Sequence, residues 1–340
     1  MSVRRALALV VGVLLTVGLT ACTNGRADRD EPTASPTATG TSRPAPSARP
    51  KVPPVTVRDV TGQVRLRAAA TRVVALDWPY AENLVAVGVQ PVGVADRAGY
   101  ASWVGADPAA RLSSKTADVG PRGQPDATKI RALRPDLIVV DRTRAQRWVS
   151  GLRKIAPVLV FDPYRADMSA WEEMRTTFTE LARAVGRSDL AAATLIRLDA
   201  TIAAGRRDLA EAGKADMPFA LAEGYSDRGV PTLRMFARSS LASEVLERLG
   251  LHNDWKGDPD QYGFTTVGVP ALNSVAMADF LYLSDARDNI FTGQVADGST
   301  WKGLEFVRTG RVHRLGSGAW LFGGPLSAER CVREVVKALT

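Results

Sequence analysis

The side chains able to do chemistry are few, and they are better suited to holding a molecule than to converting one. The two histidines, His252 and His313, stand alone, and no Cys, His, Asp or Glu cluster has metal-ligand spacing. No G-x-S-x-G elbow, no P-loop and no G-x-G-x-x-G after a strand occurs. Covalent hydrolysis, phosphate cradling and dinucleotide binding therefore lack their usual residues. What remains is arginine in Gly/Pro-rich loops and seven tryptophans. A guanidinium can fork onto two oxygens at once, and an indole covers apolar surface while its N–H still finds an acceptor. The two cysteines sit in different surroundings. Cys22 closes an apolar run, and Cys331 lies among Val332, Val335, Val336 and Leu339 at helical spacing.

The first 21 residues read as an export signal. Arg4 and Arg5 precede an apolar stretch over residues 6–19, shorter than the ~20 residues of a spanning helix. The tetrad Leu19-Thr20-Ala21-Cys22 resembles the bacterial lipobox. That resemblance implies that Cys22 is acylated and becomes the new N-terminus, anchoring the protein to the outer face of the cytoplasmic membrane; an ordinary secretory signal is the alternative. One acyl chain anchors only marginally, and two or more make a durable tether. With Cys22 lipidated, Cys331 has no disulfide partner and is expected in the core. The chain's formal charge of +8 falls to +6 without Arg4 and Arg5, too mild to argue for nucleic acid. Residues 23–55 hold seven of the 20 prolines with much Thr, Ser and Ala. Such a segment lacks the apolar surface to offset its ordering entropy and reads as a disordered linker.

The elements that must position any site alternate. Arg72-Val73-Val74-Ala75-Leu76-Asp77 is β-rich, and Pro79 opens a helix over 80–87 ended by Gly88. Strand-like runs recur at 91–96, 135–140 and 157–162, with a helix near 128–133. Continuous apolar strands between helices indicate parallel α/β layers. Trp171, Met174, Phe178, Leu181 and Val185 then fall at helical spacing, followed by Leu195, Leu198, Ile202 and Leu209. The alternation resumes with strands at 218–222, 278–284 and 311–315 and helices at 241–249 and 327–339. The expected fold is α/β: an N-terminal lobe over 56–167, a helical connector over 168–213 and a C-terminal lobe over 214–340. A ligand would sit in the cleft between the lobes.

An ordered series of motifs is similar to the iron-siderophore binding proteins of ABC importers, and to the ferric hydroxamate (ferrichrome) type in particular. It runs through Asp77-Trp78-Pro79-Tyr80, Asp118-Val119-Gly120-Pro121-Arg122 and Arg134-Pro135-Asp136-Leu137-Ile138. In the second half it continues with Glu244-Val245-Leu246, Gly250-Leu251-His252-Asn253-Asp254-Trp255 and Gly318-Ala319-Trp320-Leu321-Phe322-Gly323-Gly324. The resemblance implies two α/β lobes on a rigid helix and a shallow cleft of aromatics with an arginine. It places Trp103, Arg122, Trp255, Trp320 and Phe322 against the ligand, with Tyr262 and Arg238 as further candidates. The plain alternatives are core packing for each tryptophan and solvated surface for each arginine. No intrinsic cofactor is implied, since the siderophore itself holds Fe³⁺.

The same resemblance implies a permease partner, docked through one glutamate on each lobe. Glu244 matches the second; Thr128 stands where the first belongs, with Asp126 as the nearest acid. Two departures accompany this. Asp141-Arg142-Thr143-Arg144 replaces a loop that often carries tyrosine, and Phe322 stands where tyrosine is common. Extra arginines would suit a carboxylate-bearing chelate. The expectation is a monomeric, non-enzymatic receptor; a cobalamin or haem receptor, an envelope enzyme and a structural lipoprotein are the rivals.

Overall fold

Two sheets carry the molecule, and a layer of helices lies between them. The structure is a computed structural model that describes residues 53–316 and 319–340. Cys22, the export signal and nearly all of the linker lie outside the described residues.

The chain enters through an antiparallel hairpin, β1 (Val55–Asp59) and β2 (Gly62–Leu66). The first sheet follows, entirely parallel: β3 (Val73–Ala75), β4 (Gly93–Val94), β5 (Ala117–Asp118), β6 (Leu137–Asp141) and β7 (Val158–Phe161), in the order β5-β4-β3-β6-β7. Every residue of β6 and β7 is buried, as strands covered on both faces must be. Helices α1 (Trp78–Ala86), α2 (Arg97–Trp103), α3 (Ala127–Ala132), α4 (Arg142–Ala145) and α5 (Val149–Leu152) make the crossovers. Gly88 takes φ +74 just after α1, the left-handed conformation that ends helices and that glycine adopts without a Cβ penalty.

Two long helices come next. Ser169 caps α6 (Ala170–Ala184) in a reciprocal box with Glu172, and α7 (Ser188–Glu211) runs 24 residues. At Gly205, a Cβ would come within 2.9 Å of Val336 and 3.1 Å of Leu249, so glycine lets α7 lie close to its neighbours.

The second sheet is mixed: β8 (Pro218–Asp227), β9 (Val230–Phe236), β10 (His252–Asn253), β11 (Phe264–Val267), β12 (Asp279–Leu283) and β13 (Val312–Arg314). Its order is β11-β9-β8-β12-β13, with β10 beside β8. Helices α8 (Leu241–Arg248), α9 (Ser299–Gly303), α10 (Glu305–Arg308) and α11 (Pro325–Leu339) complete it. The sequence pattern does not indicate β1, β2, β5, β9, β10 or β11, and β8 runs beyond the expected 218–222. A two-residue turn at Arg228 and Gly229, both at positive φ, closes β8 onto β9. Arginine is uncommon in that conformation, which hid the hairpin. Cys331 is buried on α11, and burial pushes its thiol up to about 12, leaving an inert core residue.

Candidate functional site in the interlobe cleft

The site begins at the carboxyl ends of β3 and β6, where a parallel sheet opens its crevice. Asp77 follows β3 and caps α1, accepting from the Trp78 amide at 2.7 Å. Asp141 ends β6 and caps α4, accepting from the Arg144 amide at 2.8 Å. Asp77 has a side chain only 5% exposed and carries two guanidiniums: Arg122 Nη1 at 3.2 Å and Arg144 Nε at 2.9 Å. Arg122 also lies over the Trp78 ring, 3.8 Å from its centroid, a charge-on-ring contact. The Trp78 indole N–H in turn donates to the Asp96 carbonyl at 3.1 Å. Burial, then the nearby Asp77 charge, pushes Asp141 up to about 6.

The facing wall comes from the second sheet. Arg234 on β9 pairs with Glu223 on β8 at 2.9 Å and lies 5.1 Å from the Phe264 ring centroid. A chain of rings crosses from one lobe to the other. Trp78 meets Trp320 at 5.0 Å, Trp320 meets Phe322 at 5.2 Å, and Phe322 meets Phe264 at 6.0 Å. Tyr262 closes the line, edge-on to Tyr164 at 5.0 Å. Burial raises the Tyr164 phenol, which stays neutral. The Trp320 indole N–H is buried without a partner. Arg122, Arg144, Arg234, Tyr262, Trp320 and Phe322 together line a cavity of about 250 Å³.

The sequence-derived candidates divide. Arg122, Trp320, Phe322 and Tyr262 converge on this cavity. Trp103 stands behind it, its ring 5.6 Å from that of Trp320. Trp255 is a correction. Only 6% exposed, it packs into the outer core of the second sheet and spends its indole N–H on Thr265 Oγ1 at 3.1 Å. Arg238 is another: 66% exposed, it pairs with Glu247 at 2.9 Å and does not line the cavity. Glu244 is turned inward with its side chain 13% exposed. Its carboxylate accepts from the amides of Ala170 at 3.0 Å and Trp171 at 3.4 Å at the α6 N-terminus, where the helix dipole favours an anion, and pairs with Arg248. Asp126 likewise caps α3, accepting from Thr128 and Lys129 amides. Cavity-lining residues that the sequence does not single out include Arg144, Arg234, Tyr164 and Phe264, while Trp78, buried beneath Arg122, supports the cleft without lining it. The signal for Arg144 was Asp141 at the end of the buried strand β6, and for Trp78 it was Asp77 just beyond β3.

Two α/β halves with an arginine- and aromatic-lined cleft between them define a substrate-binding protein architecture. The chain belongs to the family described as Periplasmic binding protein, whose model matches residues 73–319. It is 27% identical over 275 residues to the iron(3+)-hydroxamate-binding protein FhuD of Escherichia coli, covering 79% of this chain and 86% of that one. It is 24% identical over 285 residues to the Fe(3+)-citrate-binding protein YfmC of Bacillus subtilis, covering 83% and 84%. Among solved structures, FhuD of Vibrio cholerae bound to Fe3+-Desferal superposes with a TM-score of 0.71 at 26% identity, covering 79% of this chain and 97% of that one.

Proposed function

We propose that this protein captures an Fe(III)-siderophore outside the cytoplasm and delivers it to the permease of an ABC importer. The observation that carries this reading is the cleft itself, where Arg122, held over the Trp78 ring and sharing Asp77 with Arg144, lines one cavity with Trp320 and Phe322. Siderophores wrap iron completely, so the metal belongs to the chelator and the protein reads the chelate's shape and oxygens. Guanidiniums fork onto those oxygens while rings cover the apolar periphery. The family is one of substrate-binding proteins, and a binding rather than catalytic role is the reading it supports.

The charge balance favours a hydroxamate over a carboxylate chelate. Arg122 and Arg144 are paired with Asp77, Arg234 is paired with Glu223, and Asp141 lies beside them. Three cations and three acids leave the cleft near neutrality, which suits an uncharged ferric trihydroxamate better than a ferric citrate.

Three further parts belong to this reading. The motif at Leu19–Cys22 supports a lipid anchor at Cys22, with residues 23–55 as the tether. The receptor acts as a monomer, with lobes over 56–167 and 214–340 braced by the helices of 168–213. Docking to the permease is assigned to the acidic positions Glu244 and Asp126, one on each lobe. Titration of tryptophan fluorescence tests the ligand class: a ferric trihydroxamate should quench saturably, while iron-free chelator, haem and cobalamin should not. Saturable binding of haem or cobalamin alone would refute it.

A further inference from the structure

Beside the cleft lies a second cavity, of about 390 Å³, whose chemistry is opposite to that of the arginine wall. The two share Pro79, Pro163, Tyr164, Tyr262 and Phe322 as a partition. The methylene and thioether walls of Met168, Met174 and Leu241 make one part of it apolar. Its remaining lining is rich in acceptors. Tyr80 and Asn83 occupy one face of α1 at i, i+3, and Glu173 and Thr177 one face of α6 at i, i+4; the two helices pack together. The Tyr80 hydroxyl and Asn83 Oδ1 are buried with no hydrogen-bond partner. Glu173, 4% exposed, accepts only from the Thr177 hydroxyl, at 2.8 Å, and no cation lies within ion-pair distance of it among the described residues. Arg165, the one cation on the lining, is forked onto Asp167 at 2.6 Å.

Buried acceptors without donors are costly, and a buried carboxylate without a cation more so. A ligand arm with an apolar stem and a three-donor head would satisfy all three groups at once. An ammonium has three N–H donors and no acceptor. We infer that this cavity is a subsite for an aminoalkyl arm of the bound chelate, its ammonium held by Glu173, Asn83 and Tyr80 while the iron centre faces Arg122. The inference rests on the siderophore reading and narrows it: the preferred ligand carries a protonated amine on a short apolar chain. Selectivity then has two parts, the chelate's oxygens at the arginine wall and the cationic arm at the acid wall. The nearly neutral cleft leaves the arm as the charged handle.

Calorimetric titration with two ferric trihydroxamates that differ only in this arm tests it: ferrioxamine B, with a free terminal amine, and its N-acetyl derivative. The wild-type protein should bind the amine form at least tenfold more tightly. In Glu173→Gln that preference should fall below threefold, with affinity for the acetylated form within twofold of wild type. Equal wild-type affinities, or a preference that survives in Glu173→Gln, would overturn the subsite and leave the siderophore reading standing. Binding of neither chelate would overturn the siderophore reading and the subsite with it. The wild-type comparison decides even where the variant folds poorly.

Discussion

Glu82 and Ser327, 245 residues apart, are joined by two short hydrogen bonds. The Ser327 amide donates to Oε1 at 2.7 Å and its hydroxyl donates to Oε2 at 2.6 Å. The amides of Gly324 and Leu326 point at the same carboxylate. A glutamate on the first lobe's α1 therefore sits on the N-terminus of α11, where the helix dipole favours negative charge. The contact bolts the two halves together at the floor of the cleft. Burial still drives the carboxyl's proton affinity upward, against the pull of those donors.

Removing the bolt should weaken the fold more than the site. Ser327→Ala deletes one hydrogen bond to a buried charge, worth about 1.5–3 kcal/mol. Urea denaturation should show a lower midpoint, with ligand affinity of the folded variant within twofold of wild type. Glu82→Ala, which orphans several α11 amides, should cost more than Ser327→Ala; an equal or smaller loss would show that the carboxylate does not hold the helix end.

The two arginines singled out by different routes should behave differently. Arg144, paired with Asp77 inside the cleft, should when replaced by alanine weaken ferric trihydroxamate binding about tenfold, or about 1.4 kcal/mol. Arg238, exposed and paired with Glu247, should when replaced leave affinity within twofold. The reverse ranking in a calorimetric titration would mean that the ligand sits elsewhere.

That contrast shows what was legible in the sequence. The parallel first sheet followed from apolar strands alternating with helices, and three of the cleft residues, Arg122, Trp320 and Phe322, from motif order, with Tyr262 as a further candidate. Position within a motif does not encode which way a side chain faces, so Trp255 was misassigned. The Asn253 side chain, which accepts from the Trp255 amide, fixes it toward the core instead. Arg234 was hidden because its strand exists only through the hairpin at Arg228-Gly229. Nothing in the sequence singles out Glu82, and Glu244 stands there only at the docking position the resemblance implies. Their partners, at Ser327 and Ala170, are remote in sequence and come together only in the folded chain.

Tryptophan replacements should separate core from cleft in the same way. Trp255→Phe loses the bond to Thr265 and some packing, so it should lower stability by about 1–3 kcal/mol with ligand affinity unchanged. Trp320→Phe should instead reduce both affinity and the fluorescence change on binding. Loss of affinity in Trp255→Phe at preserved stability would restore it to the site.

Glu173 should make stability depend on pH in an unusual direction. Burial pushes its carboxyl up to about 7, well above the ordinary 4.5, despite the Thr177 bond that lowers it. The folded state thus holds a proton that the unfolded chain has released between about 4.5 and 7. Its contribution is fully present below about 4.5 and is lost as pH rises through about 7. Glu173→Gln, which cannot ionise, should therefore gain on wild type over this window, by up to roughly 3 kcal/mol at pH 8. Parallel denaturation curves for the two proteins from pH 5 to 8 would contradict it.

The chelate is expected between Arg122 and Trp320, with its iron untouched by the protein. Iron anomalous scattering from crystals grown with a ferric trihydroxamate tests this most directly. One strong iron peak is expected in the cavity lined by Arg122, Arg144 and Trp320, with chelator oxygens alone around the metal. A peak outside that cavity, or one ligated by Asp77, Asp141 or Glu223, would contradict it.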